Sequence, residues 1–354
     1  MISRRETLLA TLAARLPAQP PPNDGAPGEA ASLRFRGGFP QAPPRTVEDK
    51  LRDAVSVRDN LATGHGDPGD KARIQALGDT MEAGKDLIVP AGQYAIDNGG
   101  LIQRRAFSWS FESGALLRAD YGAGHSEDLL TVRIEGAREM RGTMLSGGSF
   151  LVRNPDFAAG ASPIADQFAR GGYAIVLDAT APGANILNYR IDDATIVGGR
   201  GAVRMMGHDP DQTIAWSGIA RSTLINGVVA ERTADGLTFR DNIATGIETA
   251  YRLDLLEGAF CCTIDGGTTG NRNGALDIVN GSMWRLTNCQ MEHNPTFAGT
   301  TPADATVIVR GTRYRSYLGI IRANNFGAGL GRVRYSVILQ NASGTVIEIG
   351  RAHV

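Results

Sequence analysis

Two six-residue segments constrain this chain more than anything else in it. Leu253-Asp254-Leu255-Leu256-Glu257-Gly258 and Leu276-Asp277-Ile278-Val279-Asn280-Gly281 match position for position, 23 residues apart. Thr306-Val307-Ile308-Val309-Arg310-Gly311 continues the series more loosely, after a longer insertion. The surrounding sequence has the same texture. Strands of alternating character are expected at 174–177, 185–191, 202–206, 222–229, 237–240, 251–256, 259–264, 275–279, 284–291, 306–309, 317–322 and 336–339, separated by Gly, Asn and Asp. A period in the low twenties is about one coil of a stacked solenoid, whose coils bury a core only against their neighbours.

Composition fits a chain that turns every few residues. There are 45 glycines and only 6% aromatics, and a helical bundle would avoid that much interior glycine. The net charge is −1, with no basic block beyond the first few residues. That speaks against nucleic acid as a partner, since phosphate binding needs clustered Lys and Arg. No apolar run is long enough to span a bilayer. Three cysteines, Cys261, Cys262 and Cys289, are too few and too odd in number for a disulfide framework. No second ligand pair gives them metal spacing, so neither a metal nor a cofactor is expected.

The first residues, Met1-Ile2-Ser3-Arg4-Arg5 followed by Leu8 to Ala14, have the look of a twin-arginine export signal. A short amphipathic helix is the competing reading. Residues 1–30 are a leader and a Pro/Gly-rich linker, 31–58 an opening segment, 59–85 a helical cap and 86–348 the solenoid. One helix is expected over 46–54, with Thr46 as N-cap, and another over 70–81, ending near Gly84. Asp86 to Ile96 reads as strand, Pro-Gly turn, strand.

Residues 45–96 carry a more specific pattern. Arg45-Thr46-Val47-Glu48-Asp49-Lys50-Leu51-Arg52 precedes Val55-Ser56-Val57-Arg58-Asp59. Then come the Gly/Asp-rich turn Gly64 to Asp70, Arg73-Ile74-Gln75-Ala76, and Pro90-Ala91-Gly92-Gln93-Tyr94. In order and spacing this resembles the start of phage tail spikes and tail fibres with a pectate-lyase-like, right-handed parallel β-helix. Two departures are the turn at His65–Asp70 and Asn60 in place of an aromatic. The resemblance implies an all-β, single-stranded β-helix with a short helical cap. It further implies a homotrimer on a phage tail or baseplate that binds, and often cleaves, a bacterial surface polysaccharide. Two other readings stay open: an exported, secreted or periplasmic polysaccharide-degrading enzyme, and a purely structural fibre shaft.

Catalytic patterns are not declared by any one run of sequence. Gly64-His65-Gly66 precedes Asp192-Asp193, which is the wrong order for a polygalacturonase-like hydrolase. If the 23-residue repeat is one coil, Asp254 and Asp277 share an outer face about 4.8 Å apart at the backbone. That spacing suits the acid pair of a retaining glycosidase; the alternative is a solvated pair neutralised by Arg252 and its neighbours. A lyase remains the other chemistry. Trp284 is a candidate sugar-stacking residue, equally readable as core, and Arg252 is a second candidate for substrate binding. Asp192-Asp193, Asp235/Asp241 and Glu292-His293 are weaker candidates. Finally, Ile349-Gly350-Arg351-Ala352-His353-Val354 back-translates as a common short-read sequencing adapter, so the natural chain is expected to be cut off near Ile347.

Overall fold

The computed structural model describes residues 34–35, 45–46, 54–97, 99–121, 127–135, 138–153, 172–209, 212–233, 236–246, 249–255, 262–271, 276–293, 305–313, 315–327 and 335–348. The chain divides into two compact units, 1–53 and 54–354. In the first, Arg34–Phe35 pairs antiparallel with Arg45–Thr46. Thr46 is therefore a strand residue rather than a helix cap, and Ala54 opens another strand. The interior of that expected helix, the leader, Asp235, Cys261 and residues 349–354 lie outside the described residues.

The second unit is a right-handed parallel β-helix. Each coil gives one strand in turn to three parallel sheets of eleven, nine and nine strands. Sheet 1 runs from Ala54–Ser56 and Asp86–Val89 to Val346–Glu348. Sheet 2 starts at Gly92–Ala95 and sheet 3 at Leu101–Gln103. A three-stranded parallel patch (Glu139–Arg141, Asn185–Leu187, Thr213–Ala215) adds a fourth side to the middle coils. Period-two alternation places Leu145, Ile191, Ile219, Phe239, Ile264 and Leu286 of sheet 1 in one buried inner stack.

Corners explain where the strands end. Between sheets 1 and 2 the chain turns in two residues, and the first adopts a left-handed backbone, as at Asp193, Arg221, Asp241 and Asn288 (φ 55°, 49°, 52° and 56°). The second points inward, and its polar members form a ladder between coils. Ala194 N–H donates to Ser222 Oγ (3.2 Å), Ser222 N–H to Asn242 Oδ1 (3.0 Å), and Asn242 Nδ2 to Ile219 O (3.0 Å). Farther along, Cys289 N–H donates to Asn324 Oδ1 (2.9 Å). The expected strands 185–191, 222–229 and 284–291 are each two strands, broken at Asn188, Asn226 and Asn288, all at positive φ. Asparagine tolerates that conformation better than most residues, so the break is encoded locally.

From Val55 onward the opening motif forms a cap. Helix α1, Asp70–Thr80, appears where expected, although Met81 and not Gly84 follows its last turn. Ile74 is its buried anchor. The Asp70 carboxylate accepts from Thr63 N–H (2.7 Å) and Gly64 N–H (3.1 Å), closing the Gly/Asp turn onto the helix start. Gly66 N–H donates to Gln93 O and Gln93 N–H to Gly64 O, both 2.7 Å, so this turn covers the first strand of sheet 2. A side chain at Gly92 would strike Gly64 O at 2.7 Å, which explains the glycine of Pro90-Ala91-Gly92.

Register corrects the repeat. Leu253 pairs with Ile278 and Arg252 with Asp277, while Asp254 pairs with Val279. The two matched segments are adjacent, but offset by two residues from the sequence match. A two-residue shift keeps every side chain on its face, whereas a one-residue shift flips it. The hydrophobic pattern alone could not distinguish the two alignments.

Candidate functional site

Sheet 3 carries Arg252, Asp254 and Asp277 on its outer face, and their geometry differs from expectation. Asp254 and Asp277 do not stand one above the other. Asp277 is 7% exposed and lies in line with Arg252, whose Nε is 3.8 Å away. Arg310 binds it with two nitrogens, Nε at 3.0 Å and Nη2. Asp254 Oδ1 accepts from Arg313 Nη2 (2.7 Å) and Asn280 Nδ2 (3.0 Å). The carboxylate in register beside Asp254 is Glu231, which takes two nitrogens of Arg204 at 2.8 and 3.2 Å. Farther along the face, Asp178 takes Arg133 Nε at 2.8 Å.

Each of these carboxylates therefore has an arginine partner. The two-residue shift that separates Asp254 from Asp277 also puts Arg252 in register beside Asp277. Trp284 is fully buried, and a side chain at Gly319 would lie 2.0 Å from its ring. It is a core residue with no face open to a sugar. Glu292 and His293 lie in the sheet 2 strand Gln290–His293.

Sheet 1 presents a groove that sequence reasoning missed. It has a volume of about 370 Å³ and crosses the strands Met144–Ser146, Arg190–Asp192, Gly218–Ala220 and Thr238–Arg240. Register explains its shape. Gly218 sits between Arg190 and Thr238, and Ala220 between Asp192 and Arg240. The middle strand has almost no outward side chain, so it forms a floor between two longer-chained walls. Arg190 reaches over that floor: a side chain at Gly218 would lie 3.3 Å from Arg190 Nη1. Arg221, from the following corner, binds Asp192 Oδ2. Asp192 Oδ1 is shielded from solvent and accepts no hydrogen bond among the described residues.

Trp216 stands in the turn that leads into this floor and is 52% exposed. Its left-handed backbone (φ 51°) is shared by Asn188 and Met283 at the same corner of other coils. That strain belongs to the fold, whereas the exposed indole does not follow from it. The one legible signal was Trp216-Ser217-Gly218, a large aromatic just before a strand with no outward bulk.

No known protein-family profile matches the chain, and no curated protein matches it. Solved structures do. The chain resembles ORF18 of Geobacillus virus E2 (TM-score 0.54, 10% identity), covering 85% of this chain and 62% of that one. It also resembles tailspike protein 3 of bacteriophage CBA120 (TM-score 0.41, 12% identity, 90% and 61% covered). A third is the A-module of an Azotobacter vinelandii mannuronan C-5 epimerase (TM-score 0.39, 12% identity, 84% and 100% covered). The chain thus spans less than two thirds of the length of the two viral structures. At 10% identity, the likeness to the virus ORF18 is one of fold. Among the described residues no helix is long and apolar enough to cross a membrane.

Proposed function

We propose that this chain is a tail-spike-like module that recognises a bacterial surface polysaccharide along the outer face of sheet 1. The observation that carries the reading is the groove over Gly218 and Ala220, with exposed Trp216 at its approach. An indole offers an apolar face that stacks on a sugar ring and an N–H that can bond to hydroxyls. The opening motif and the β-helix it caps support a place on a phage tail, where the chain acts as a homotrimer.

The proposal is recognition rather than cleavage, because Asp254 and Asp277 are both held by arginines. The test is binding to a panel of capsular polysaccharides and lipopolysaccharides, comparing the full chain with Trp216→Ala. Loss of about one order of magnitude or more in affinity is expected for the variant, with thermal stability unchanged. Unaltered binding by Trp216→Ala would place recognition elsewhere. New reducing ends in the product would show that the chain is a hydrolase, and an unsaturated sugar would show a lyase.

A further inference from the structure

We infer that the groove on sheet 1 is built for an acidic polysaccharide, one whose repeat carries a carboxylate on a hydroxylated ring. This rests on the reading of the groove as the polysaccharide site and names its chemical class. The argument starts from what the lining leaves over. Three guanidiniums (Arg190, Arg221, Arg240) and one carboxylate (Asp192) line it. Arg221 is used by Asp192 Oδ2. Arg190 Nε donates to Asn188 Oδ1 at 3.1 Å, and its two terminal nitrogens have no hydrogen-bond partner among the described residues. The Arg240 guanidinium likewise makes no hydrogen bond among them.

One neighbouring acid, Asp265, lies in register beside Arg240 and attracts it, but no hydrogen bond joins the two side chains among the described residues. Asp265, on the strand beyond Arg240, already accepts from Thr287 Oγ1 and Asn288 Nδ2 at 2.8 Å each. Asp193 and Asp241 occupy corners outside the groove lining. Arg190 and Arg240 are thus two available planar forks, two strands across the sheet and two residues along it, so that their backbones lie about 12 Å apart. A guanidinium fork matches a carboxylate better than any neutral group.

The one buried acceptor points to the rest of the ligand. Asp192 Oδ1 is shielded and unbonded, and a buried acceptor left so is costly until a donor arrives. A polymer carboxylate cannot supply that donor, whereas a sugar hydroxyl can. Carboxylates for Arg190 and Arg240, a hydroxyl for Asp192 and a ring face for Trp216 are found together in a uronic-acid-bearing glycan. A neutral glycan would leave both forks without an acid, and a non-sugar polyanion would leave Asp192 Oδ1 without a donor.

The experiment uses the full chain with hexuronate-containing capsular polysaccharides, each in its native form and after chemical reduction of its carboxyls to alcohols. Native polymer is expected to bind, and the reduced form to bind at least tenfold more weakly. Arg190→Gln with Arg240→Gln should reproduce that loss on native polymer, by roughly ten- to a hundredfold, and should be indifferent to reduction. Both arginines are exposed, so folding is not at stake, and an unchanged melting temperature checks this. Equal binding of native and reduced polymer would overturn the acid assignment while leaving polysaccharide recognition standing. Full binding by the double variant would overturn the assignment to this groove. Failure of the chain to bind any polysaccharide would remove the proposed function, and this inference with it.

Discussion

Gln75 of the cap helix bonds both backbone groups of Ile102, the middle residue of sheet 3's first strand: Gln75 Nε2 donates to Ile102 O (2.9 Å), and Ile102 N–H donates to Gln75 Oε1 (2.8 Å). A single amide side chain thus stands in for the missing neighbouring strand. An exposed sheet edge is a template for unwanted pairing, and this one is closed by a residue of the opening motif. Gln75→Ala should cost about 1–3 kcal/mol, because two backbone groups lose their partners at once. Hydrogen exchange at the Ile102 amide should accelerate in step. An Ile102 amide that stays as protected as in the native chain would show that Gln75 is not the cap.

The inward ladder at the corner of sheets 1 and 2 makes a second expectation. Asn242 is 2% exposed and joins two coils, accepting from Ser222 N–H and donating to Ile219 O. Asn242→Ala should lower stability by about 1–3 kcal/mol, since both partners are then buried and unsatisfied. Asn242→Asp should cost more, as it loses the donor and buries a charge. Denaturant unfolding of the two variants would show the order, and a harmless Asp would contradict it.

Trp284 and Gly319 form a matched pair in successive coils. With the ring 2.0 Å from where a Cβ would be, Gly319→Ala must displace the largest side chain of the core. A loss of about 1–3 kcal/mol or more is expected from such overpacking. Near-ultraviolet circular dichroism should report the indole's movement. A variant as stable as the parent, with an unchanged spectrum, would mean that the ring is free to move.

Much of the fold was legible because it is local. The opening motif could be read because Gly64 accepts from Gln93, Gln75 bonds both backbone groups of Ile102 and Gly92 leaves room for Gly64, at spacings set by the turn and the helix. The asparagines at 188, 226 and 288 likewise marked corners, though they were read through as continuous strand. The site was less legible for a physical reason. Asp254 and Asp277 have equivalent inward and outward patterns in either register, so the chain could not say which arginine or acid each one meets. The groove depends on Gly218 and Ala220 being flanked by Arg190 and Arg240, residues brought together by coils of unequal length.

The corrected register makes Asp277 a structural acid. It is nearly buried and is bound by the Arg310 fork, with Arg252 close by. Asp277→Asn should destabilise the chain by about 1–2 kcal/mol, less than for a wholly buried pair because the arginines are about a third exposed. Polysaccharide binding should be unchanged. A variant of parental stability that no longer binds or cuts the polymer would return Asp277 to a functional role.

Asp128 gives a prediction in pH. Its Oδ1 accepts from Gly172 N–H and Tyr173 N–H, both 2.9 Å, and so ties the start of the Tyr173–Asp178 strand to the coil before it. Burial raises its pKa above the ordinary 3.8, against the lowering effect of those two bonds and of Arg204 and Arg133. An acid whose pKa is raised on folding binds more protons in the native state than in the unfolded one. Its contribution is therefore fully present below 3.8 and is lost as pH rises through the raised value. Asp128→Asn keeps a carbonyl acceptor for both amides and removes the titration. The stability of the variant relative to the parent should then rise as pH increases from 3.8 through the raised value, with the acids common to both chains cancelling in the difference. Urea unfolding of the two proteins across that range measures it. A difference that falls as pH rises would show that the carboxylate is stabilised in its charged form by the arginines, and that burial is not the dominant effect.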